Sequence, residues 1–476
     1  MNGAQRKARP AWRLQAVHAV LLVQALLSAW VLLRYDGTGD AGDSILHYLY
    51  ARYAPAHPAL YVDHWAKPLF VLLACPFAQA GLVGMKLFNV LCALGSTWGT
   101  MRVAERLGLG RPWQAGVALL AMPLNVALTF SGLTEPLFAL VLVWSLERAV
   151  AGRAGTAALL AGWLPFVRSE GLLFLGVFGL YLLAVRRWRA LPVLAVGTVA
   201  YAIAGSFVTH DLLWVFTHIP YTRGSYGSGP AFHFVEQLYY VVGLPLYVLV
   251  WVGALDRGWG LWRREVGAAE GLLVLGGALL YLAAHSVFWA FGLFHSMGLK
   301  RVLVAIAPLL ALLAARGLER VAGAHLDPWR RVRTGLRWAV LAYVVIFPFT
   351  PNPAALHPAH DLLLTADQRL ARTVADRIRQ EQPAHGRAVY AAPYLGEVLG
   401  LDPFDTAQHA GFDALHHGLR PGDVVIWENW FAVAEGGVQH ATLEGDARLR
   451  PWFTVEGEDR GRPVTYAVYT VREEVH

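Results

Sequence analysis

Two aspartates near the start of the chain have the side-chain type and spacing of a general-base site. Asp40 and Asp43 lie three residues apart in the run GDAGDSILHY, residues 39 to 48. A carboxylate can take the proton of a hydroxyl group as that hydroxyl attacks an electrophile. A structural role is open as well, because Asp43 or Ser44 could be the N-cap of a helix that begins here.

Further charged side chains lie at the ends of apolar segments, where placing a charge near hydrocarbon is costly. The candidates for substrate binding are Asp63, His64 and Lys67 in YVDHWAKPLF, Glu135 in SGLTEPLF, Arg168 and Glu170 in PFVRSEG, and Lys300 and Arg301 in HSMGLKR. Structural alternatives remain for each. Glu135 could favour the dipole of its helix, Arg168 with Glu170 could form a local ion pair, and the two basic residues at 300 and 301 could lie at an interface.

The combination of these groups indicates one kind of chemistry. A carboxylate and several cations at one end of a bundle could surround a reaction between a lipid-linked phosphate donor and an acceptor hydroxyl. The carboxylate would take the hydroxyl proton, and a Lys or Arg would offset the negative charge on the departing phosphate. This hypothesis requires the charges to meet in a shared cleft.

The elements that must position these groups are membrane helices. The 476 residues are 56% hydrophobic and 15% charged, whereas an ordinary soluble chain is about a quarter charged. We therefore predict an α-helical polytopic membrane protein with about eleven transmembrane helices. The predicted apolar segments lie near residues 14–33, 69–101, 113–130, 134–150, 156–168, 171–185, 190–209, 237–255, 268–291, 302–319 and 337–351.

The block from 69 to 101 is too long for one straight crossing. Its start, at Lys67-Pro68, is predicted to be an interfacial helix that precedes the true crossing. Lys and Arg accumulate in cytoplasmic loops, and four basic residues precede the first segment, namely Arg6, Lys7, Arg9 and Arg13. The N-terminus is therefore predicted to be cytoplasmic and the C-terminal domain extracytoplasmic. Basic cytoplasmic loops also account for the net charge of +7 without a nucleic-acid partner.

The composition becomes that of a soluble domain after about residue 351. We predict a transmembrane domain at 1–351, with a catalytic first external loop at 34–68, and a small α/β domain at 352–476. Within the second domain the pattern predicts a helix near 362–380 and strands near 387–391, 423–428, 452–455 and 464–471. The two cysteines, Cys75 and Cys92, lie in apolar surroundings and predict neither a disulfide framework nor a zinc site.

Over residues 14 to 320 the chain resembles the GT-C superfamily of membrane glycosyltransferases, which includes protein mannosyltransferases and aminoarabinose transferases. The resemblance rests on a single N-terminal span followed by a long external loop with an acidic motif, and on three further features. These are the Lys67-Pro68 pair before the next helix, the Arg-x-Glu-Gly turn at 168–171, and the basic-then-apolar helix at 300–319.

The resemblance implies a hexosyltransferase that moves a sugar from a polyprenyl-phosphate donor to an acceptor hydroxyl on a glycan, lipid or protein. It implies a bacterial inner membrane location, with transfer on the extracytoplasmic face. The expected base maps onto Asp43, with Asp40 in reserve. Many members have a second carboxylate directly after that Asp, where this chain has Ser44, so the choice between the two stays open.

No cofactor or metal is expected, although relatives that use lipid-pyrophosphate donors bind a divalent metal. Asp43, Asp63, His64 and Glu135 could supply hard ligands for one. Two other functions are also open. A transporter or flippase of lipid-linked glycans or another amphipathic solute would use charges at mid-membrane, where His285 is the nearest candidate. A scaffold would act only through its C-terminal domain.

Overall fold

The computed structural model of this chain describes residues 11–220, 226–322, 330–381, 386–416, 418–459 and 461–472. Arg6, Lys7 and Arg9, on which the predicted orientation partly rests, lie outside this range. The described chain consists of a helical bundle followed by a smaller domain built on a mixed β-sheet. The predicted fold class, a polytopic helical protein with a small C-terminal α/β domain, is confirmed.

The bundle consists of α-helices joined by short 3-10 turns and one π-helical turn. Its helical elements are Ala11–Arg34, Asp43–Tyr53, Pro58–Val62, Pro68–Ala78, Gly81–Arg106, Trp113–Leu120, Pro123–Leu128, Glu135–Val150, Ala154–Ala161, Leu164–Phe166, Gly171–Ala184, Trp188–Ala195, Val196–Thr209, Trp214–Thr217, His233–Val242, Leu244–Trp262, Ala269–Gly276, Gly277–Ala290, Lys300–Ile306, Ala307–Ala322, Arg330–Ile346 and Phe347–Phe349. Each apolar segment predicted from the sequence is therefore helical.

Among the described residues, six helices are long and apolar enough to cross a membrane. They are Gln15–Arg34, Gly81–Arg106, Trp188–Thr209, Ala269–Ala290, Lys300–Ala322 and Arg331–Phe349. Shorter apolar helices include Pro68–Ala78 and Gly171–Ala184. The count of about eleven crossings stays a prediction.

The outer helices carry large apolar side chains on the bundle surface. In Ala11–Arg34, Leu22 is 60% exposed and Leu33 is 90% exposed, whereas most residues of Ala307–Ala322 are buried. A soluble monomer rarely presents such a surface. The exposed faces are those of a bundle that is surrounded by lipid.

The long apolar block from 69 to 101 is divided as its length requires. Helix Pro68–Ala78 ends shortly before Gly81, whose φ is +76°, and helix Gly81–Arg106 begins there. Only glycine adopts this backbone conformation without strain. The break between two helices is therefore encoded locally, while the interfacial position of the first helix stays a prediction.

The C-terminal domain contains five strands: β1 Ala388–Val389, β2 His409–Ala410, β3 Val424–Glu428, β4 Leu449–Asp459 and β5 Arg462–Val471. Their order in the sheet is β2-β1-β3-β5-β4, with parallel pairing among the first three and antiparallel pairing at β5. The helical elements are Pro358–Asp361, Ala366–Glu381, Pro393–Leu399, Phe412–Leu415, Phe431–Ala434 and His440–Glu444. The predicted helix and four strands are present, and β2 was missed.

The C-terminal domain packs directly on the bundle. Tyr48 from the first loop, Phe88 from the bundle, and Tyr394 and Leu395 from the domain belong to one continuous cluster of buried apolar side chains. The predicted boundary at 351/352 falls between Phe347–Phe349 and Pro358–Asp361. The two parts thus share a core, and the first loop lies between them.

Candidate active site

The first loop is anchored where the first helix ends. The buried ammonium group of Lys86 donates to the carbonyl oxygens of Tyr35 at 2.7 Å and Gly37 at 3.0 Å. Gly39 has φ +68°, and a Cβ there would lie 2.6 Å from the carbonyl oxygen of Asp361. Only glycine fits this approach. The backbone that leads to Asp40 is therefore held by Lys86 on one side and packs closely against Asp361 on the other.

Asp40 shapes the start of the helix Asp43–Tyr53, which we call the Asp43 helix. Its Oδ1 accepts the backbone N–H groups of Gly42 at 2.8 Å and Ser44 at 3.3 Å. The structural alternative that Asp43 or Ser44 is the N-cap does not hold, because the N-cap is Gly42 and Asp43 is the first helical residue. Asp43 is the more exposed carboxylate, at 39% against 27% for Asp40.

Arg301 joins the two aspartates across a large sequence separation. Its Nη1 lies 2.9 Å from Oδ2 of Asp40, and its Nη2 donates to Oδ2 of Asp43. Its Nε is 3.9 Å from Oε1 of Glu135. A single guanidinium therefore faces three carboxylates, an arrangement that its planar fork of donors allows.

The chain of ion pairs continues through Arg168. Its Nη1 is 2.8 Å from Oε1 of Glu135, whose side chain is 1% exposed, and it also donates to the hydroxyl of Thr134 at 2.9 Å. Its Nη2 donates to Oε1 of Glu170 at 2.9 Å. Nε2 of His285 lies 3.7 Å from the same carboxylate oxygen. We call Asp40, Asp43, Glu135, Arg168, Glu170 and Arg301 the ion cluster.

The ion cluster holds four acids and two arginines. Burial alone would raise the pKa of Glu170, but Arg168 and His285 outweigh it and lower that pKa to about 2. Glu170 is therefore ionised at neutral pH. Burying ion pairs rarely adds net stability, since desolvation offsets their attraction. A cluster of this kind at the end of a bundle is more easily explained by a binding or catalytic role.

Lys67 lies beside the ion cluster. Its ammonium group donates to the hydroxyl of Ser169 at 2.9 Å, in the turn between Arg168 and Glu170, and to the carbonyl of His64 at 2.8 Å. Its φ is +70°, which is uncommon for a residue with a side chain and costs energy that the surrounding structure must supply. Backbone strain of this kind is found most often at functional sites.

Three other predicted site residues contact groups outside the ion cluster. Oδ1 of Asp63 accepts the N–H of Ala66 at 2.7 Å. The ring of His64 packs against Trp214, with 4.5 Å between centroids. The ammonium nitrogen of Lys300 is 5.4 Å from the ring centroid of Tyr240. Across the described ranges, no group of three His, Cys, Asp or Glu residues is placed to hold a metal ion.

His47 is a site residue that sequence reasoning missed, although it lies one turn after Asp43 in the same helix. It is buried, and its ring stacks on that of Trp65 with 4.8 Å between centroids. Burial lowers the pKa of His47 to about 3. The positive charges of Arg301 and Lys67 lower it further, whereas the negative charge of Asp43 acts in the opposite direction. Its imidazole is therefore neutral at physiological pH.

The pH dependence of stability should report this buried imidazole. Unfolded His47 binds a proton at its ordinary pKa of about 6.5, whereas the folded chain does so only near pH 3. Its stabilising contribution is therefore complete above pH 6.5 and is lost as the pH falls towards 3, by about 2 kcal/mol at pH 5. We expect His47→Gln to reduce the fall in thermal stability between about pH 7 and pH 5.

The measurement is thermal unfolding of the detergent-solubilised chain at several pH values. His360→Gln is the matched control, because His360 is an exposed histidine of the C-terminal domain. It should leave the pH slope of the wild type unchanged. Equal slopes for the wild type and His47→Gln would contradict the assignment.

No protein-family model and no curated protein matches the chain significantly. Solved structures do. One is ArnT from Cupriavidus metallidurans bound to undecaprenyl phosphate, with a TM-score of 0.64 and 17% identity over 97% of this chain and 98% of that chain. Another is the same protein in the apo state, with a TM-score of 0.65 and 16% identity over 94% and 97%. The chain therefore has the polytopic helical fold of these ArnT structures, as the sequence predicted.

Proposed function

We propose that this protein is an integral membrane glycosyltransferase that moves a sugar from a polyprenyl-phosphate donor to an acceptor hydroxyl on the extracytoplasmic face. The observation that carries the proposal is the convergence of the ion cluster with Lys67 at one end of the bundle. The fold shared with an ArnT structure that holds undecaprenyl phosphate supports the choice of lipid carrier.

In this proposal Asp43 is the base. Its carboxylate takes the proton from the acceptor hydroxyl while the hydroxyl oxygen forms a bond to the anomeric carbon of the sugar. The bond between that carbon and the phosphate oxygen breaks, and the polyprenyl phosphate leaves with the electron pair. Asp43 then passes the proton to water. Asp40 holds the loop and Arg301 in place, because its two carboxylate oxygens are both engaged.

Lys67 is the proposed partner of the phosphate. It precedes helix Pro68–Ala78, which has proline at its first position. The positive end of the helix dipole and the ammonium charge therefore point to the same region and both favour an anion. As the phosphate leaves, its growing negative charge would be offset by Lys67.

The function is tested by product analysis after deletion of the gene. Mass spectrometry of lipid-linked sugars and of surface glycans should show that one polyprenyl-phosphate sugar accumulates and that one sugar modification is lost. Re-expression of the wild type should reverse both changes, whereas Asp43→Asn should reverse neither. Movement of a lipid-linked sugar across proteoliposomes without any covalent product would contradict the proposal and favour a transporter.

A second prediction concerns lipid binding. Lys67→Met removes a charge-assisted hydrogen bond to the phosphate, and we expect the Kd for undecaprenyl phosphate to rise about ten- to hundredfold. Lys67→Arg should recover part of the affinity. The measurement is binding of undecaprenyl phosphate to the purified chain in detergent micelles.

Arg153→Met is the control for charge, because Arg153 is an exposed cation after helix Glu135–Val150, at the end opposite Glu135. It should bind undecaprenyl phosphate like the wild type. The same affinity in Lys67→Met and the wild type would rule out Lys67 as the phosphate partner.

A further inference from the structure

The Asp43 helix is held at its middle by the C-terminal domain. The hydroxyl of Tyr48, a fully buried side chain five residues after Asp43, donates to Oε2 of Glu397 at 2.9 Å. One turn further, Arg52 donates to the same hydroxyl and lies 3.4 Å from the same carboxylate oxygen. Glu397 belongs to helix Pro393–Leu399, so these groups join the two parts of the molecule.

The contact continues beyond the end of the Asp43 helix. The hydroxyl of Tyr53 donates to the carbonyl of Leu401 at 3.0 Å. Nε2 of His57 lies 2.8 Å from Oδ2 of Asp402. The ring of Phe404 meets that of Tyr50 edge-on, with 4.8 Å between centroids. The segment 397–404 of the C-terminal domain therefore packs along the second half of the Asp43 helix and the residues just after it.

The domain also reaches the start of the helix. The side-chain amide of the buried residue Gln368 is 3.4 Å from the carbonyl oxygen of Asp40. The ring of Phe431 lies against Gly42, where a Cβ would be 3.4 Å from two ring atoms. Arg301 approaches the same turn from the bundle. The position of Asp43 is thus set jointly by the bundle and by the C-terminal domain.

A helix of this length depends on such contacts. The Asp43 helix has eleven residues, and isolated helices shorter than about 12–15 residues are marginal in water. Its direction and rotation must therefore come from packing. The hydroxyl of Tyr48 needs a partner when buried, and Glu397 supplies one while its charge is balanced by Arg52. Burial raises the pKa of Tyr48, which keeps the phenol a neutral donor.

We propose that Glu397 of the C-terminal domain is a positioning residue for Asp43, fixing the rotation and axial position of the Asp43 helix through Tyr48 and Arg52. Tyr48 lies about 7.5 Å from Asp43 along the helix axis, so a rotation at one is transmitted to the other. A displacement of about 1 Å at a reacting group can cost about a hundredfold in rate. The catalytic consequence rests on the function proposed above, whereas the structural part does not.

The test uses the full-length chain in lipid nanodiscs and two readouts. Hydrogen exchange followed by mass spectrometry reports the Asp43 helix directly, and we expect its amides to exchange at least about tenfold faster in Glu397→Ala than in the wild type. Strands β3 and β5 should keep their protection. The transfer kcat should fall about ten- to hundredfold, while the Kd for undecaprenyl phosphate stays unchanged, because Lys67 is not touched.

Glu444→Ala is the matched control. Glu444 forms an exposed ion pair with His440 at 3.6 Å in the same domain, and its loss should change neither exchange of the Asp43 helix nor kcat. Unchanged exchange of that helix in Glu397→Ala would overturn the proposal, as would faster exchange with wild-type kcat.

If β3 and β5 also lose protection in Glu397→Ala, the whole C-terminal domain is disturbed, and the milder variants Glu397→Gln and Tyr48→Phe are used to test the proposal. Faster exchange confined to the Asp43 helix in either supports the proposal, and wild-type exchange in both overturns it. A wild-type protein that transfers no sugar would refute the proposed function, while the exchange comparison would still decide whether Glu397 positions the helix.

Discussion

Asp43→Asn is expected to reduce the rate of sugar transfer by about 10²–10⁴-fold, the usual contribution of a general base. Asparagine keeps the size of the side chain, and its amide oxygen can still accept a hydrogen bond from Arg301. It cannot take a proton from the acceptor. We therefore expect normal membrane insertion and thermal stability, with a loss confined to kcat.

Asp40→Asn separates the two aspartates. Both oxygens of Asp40 accept hydrogen bonds, from Gly42, Ser44 and Arg301. In asparagine, one of these oxygens is replaced by an NH₂ group, which would face an N–H donor instead of accepting from it. Leaving that donor unpaired lowers the free energy of unfolding by about 1–3 kcal/mol. Asp40→Asn should therefore lower both stability and activity, whereas Asp43→Asn should lower activity alone.

The measurement is the initial rate of transfer from the donor identified by mass spectrometry, with equal amounts of folded protein. Asp376→Asn, at an exposed position of the C-terminal domain, is the control and should retain full activity. Wild-type rates in both Asp43→Asn and Asp40→Asn would rule out both aspartates as the base of the transfer reaction.

Arg301→Ala is expected to have the second large effect. Arg301 is the shared partner of Asp40, Asp43 and Glu135. Its removal leaves three carboxylates facing one another in a partly buried site, and breaking such a pair costs about 3–5 kcal/mol. We expect a lower unfolding temperature and loss of transfer, because the two aspartates would repel each other and separate.

Arg301→Lys keeps the charge and tests the geometry. Lysine lacks the planar fork that reaches two carboxylates at once, so this variant should be more stable than Arg301→Ala but still impaired in transfer. Thermal unfolding in detergent and initial rates provide the two readouts. Wild-type stability and activity in Arg301→Ala would contradict the assigned role of the ion cluster.

Local patterns predicted much of the fold. The helix positions follow from apolar segments, and the break in the block from 69 to 101 follows from its length. The strands β3, β4 and β5 follow from runs of β-branched and aromatic residues. By contrast, β2 has only two residues, which is too short for a recognisable pattern. Both residues pair with β1, and this pairing depends on tertiary contact.

The site was predicted as a set of residues but not as a geometry. Lys300 and Arg301 were equal candidates, because neighbouring residues of a 3-10 helix point in directions about 120° apart and the sequence does not show which of the two faces the carboxylates. In the structure Arg301 joins the ion cluster and Lys300 lies over Tyr240. The pairing of Arg168 with Glu135 joins the turn before helix Gly171–Ala184 to the start of helix Glu135–Val150, and no local pattern specifies it.

The continuous core of Tyr48, Phe88, Tyr394 and Leu395 restricts how this architecture can diversify. An exchangeable module meets its neighbours through a small polar interface, and it can be replaced by recombination without loss of either part. Here, grafting an unrelated tail would leave buried aromatic side chains uncovered in the very helix that carries Asp43. Variation should therefore arise by point substitution and loop insertion, with the C-terminal domain inherited together with the bundle as one unit.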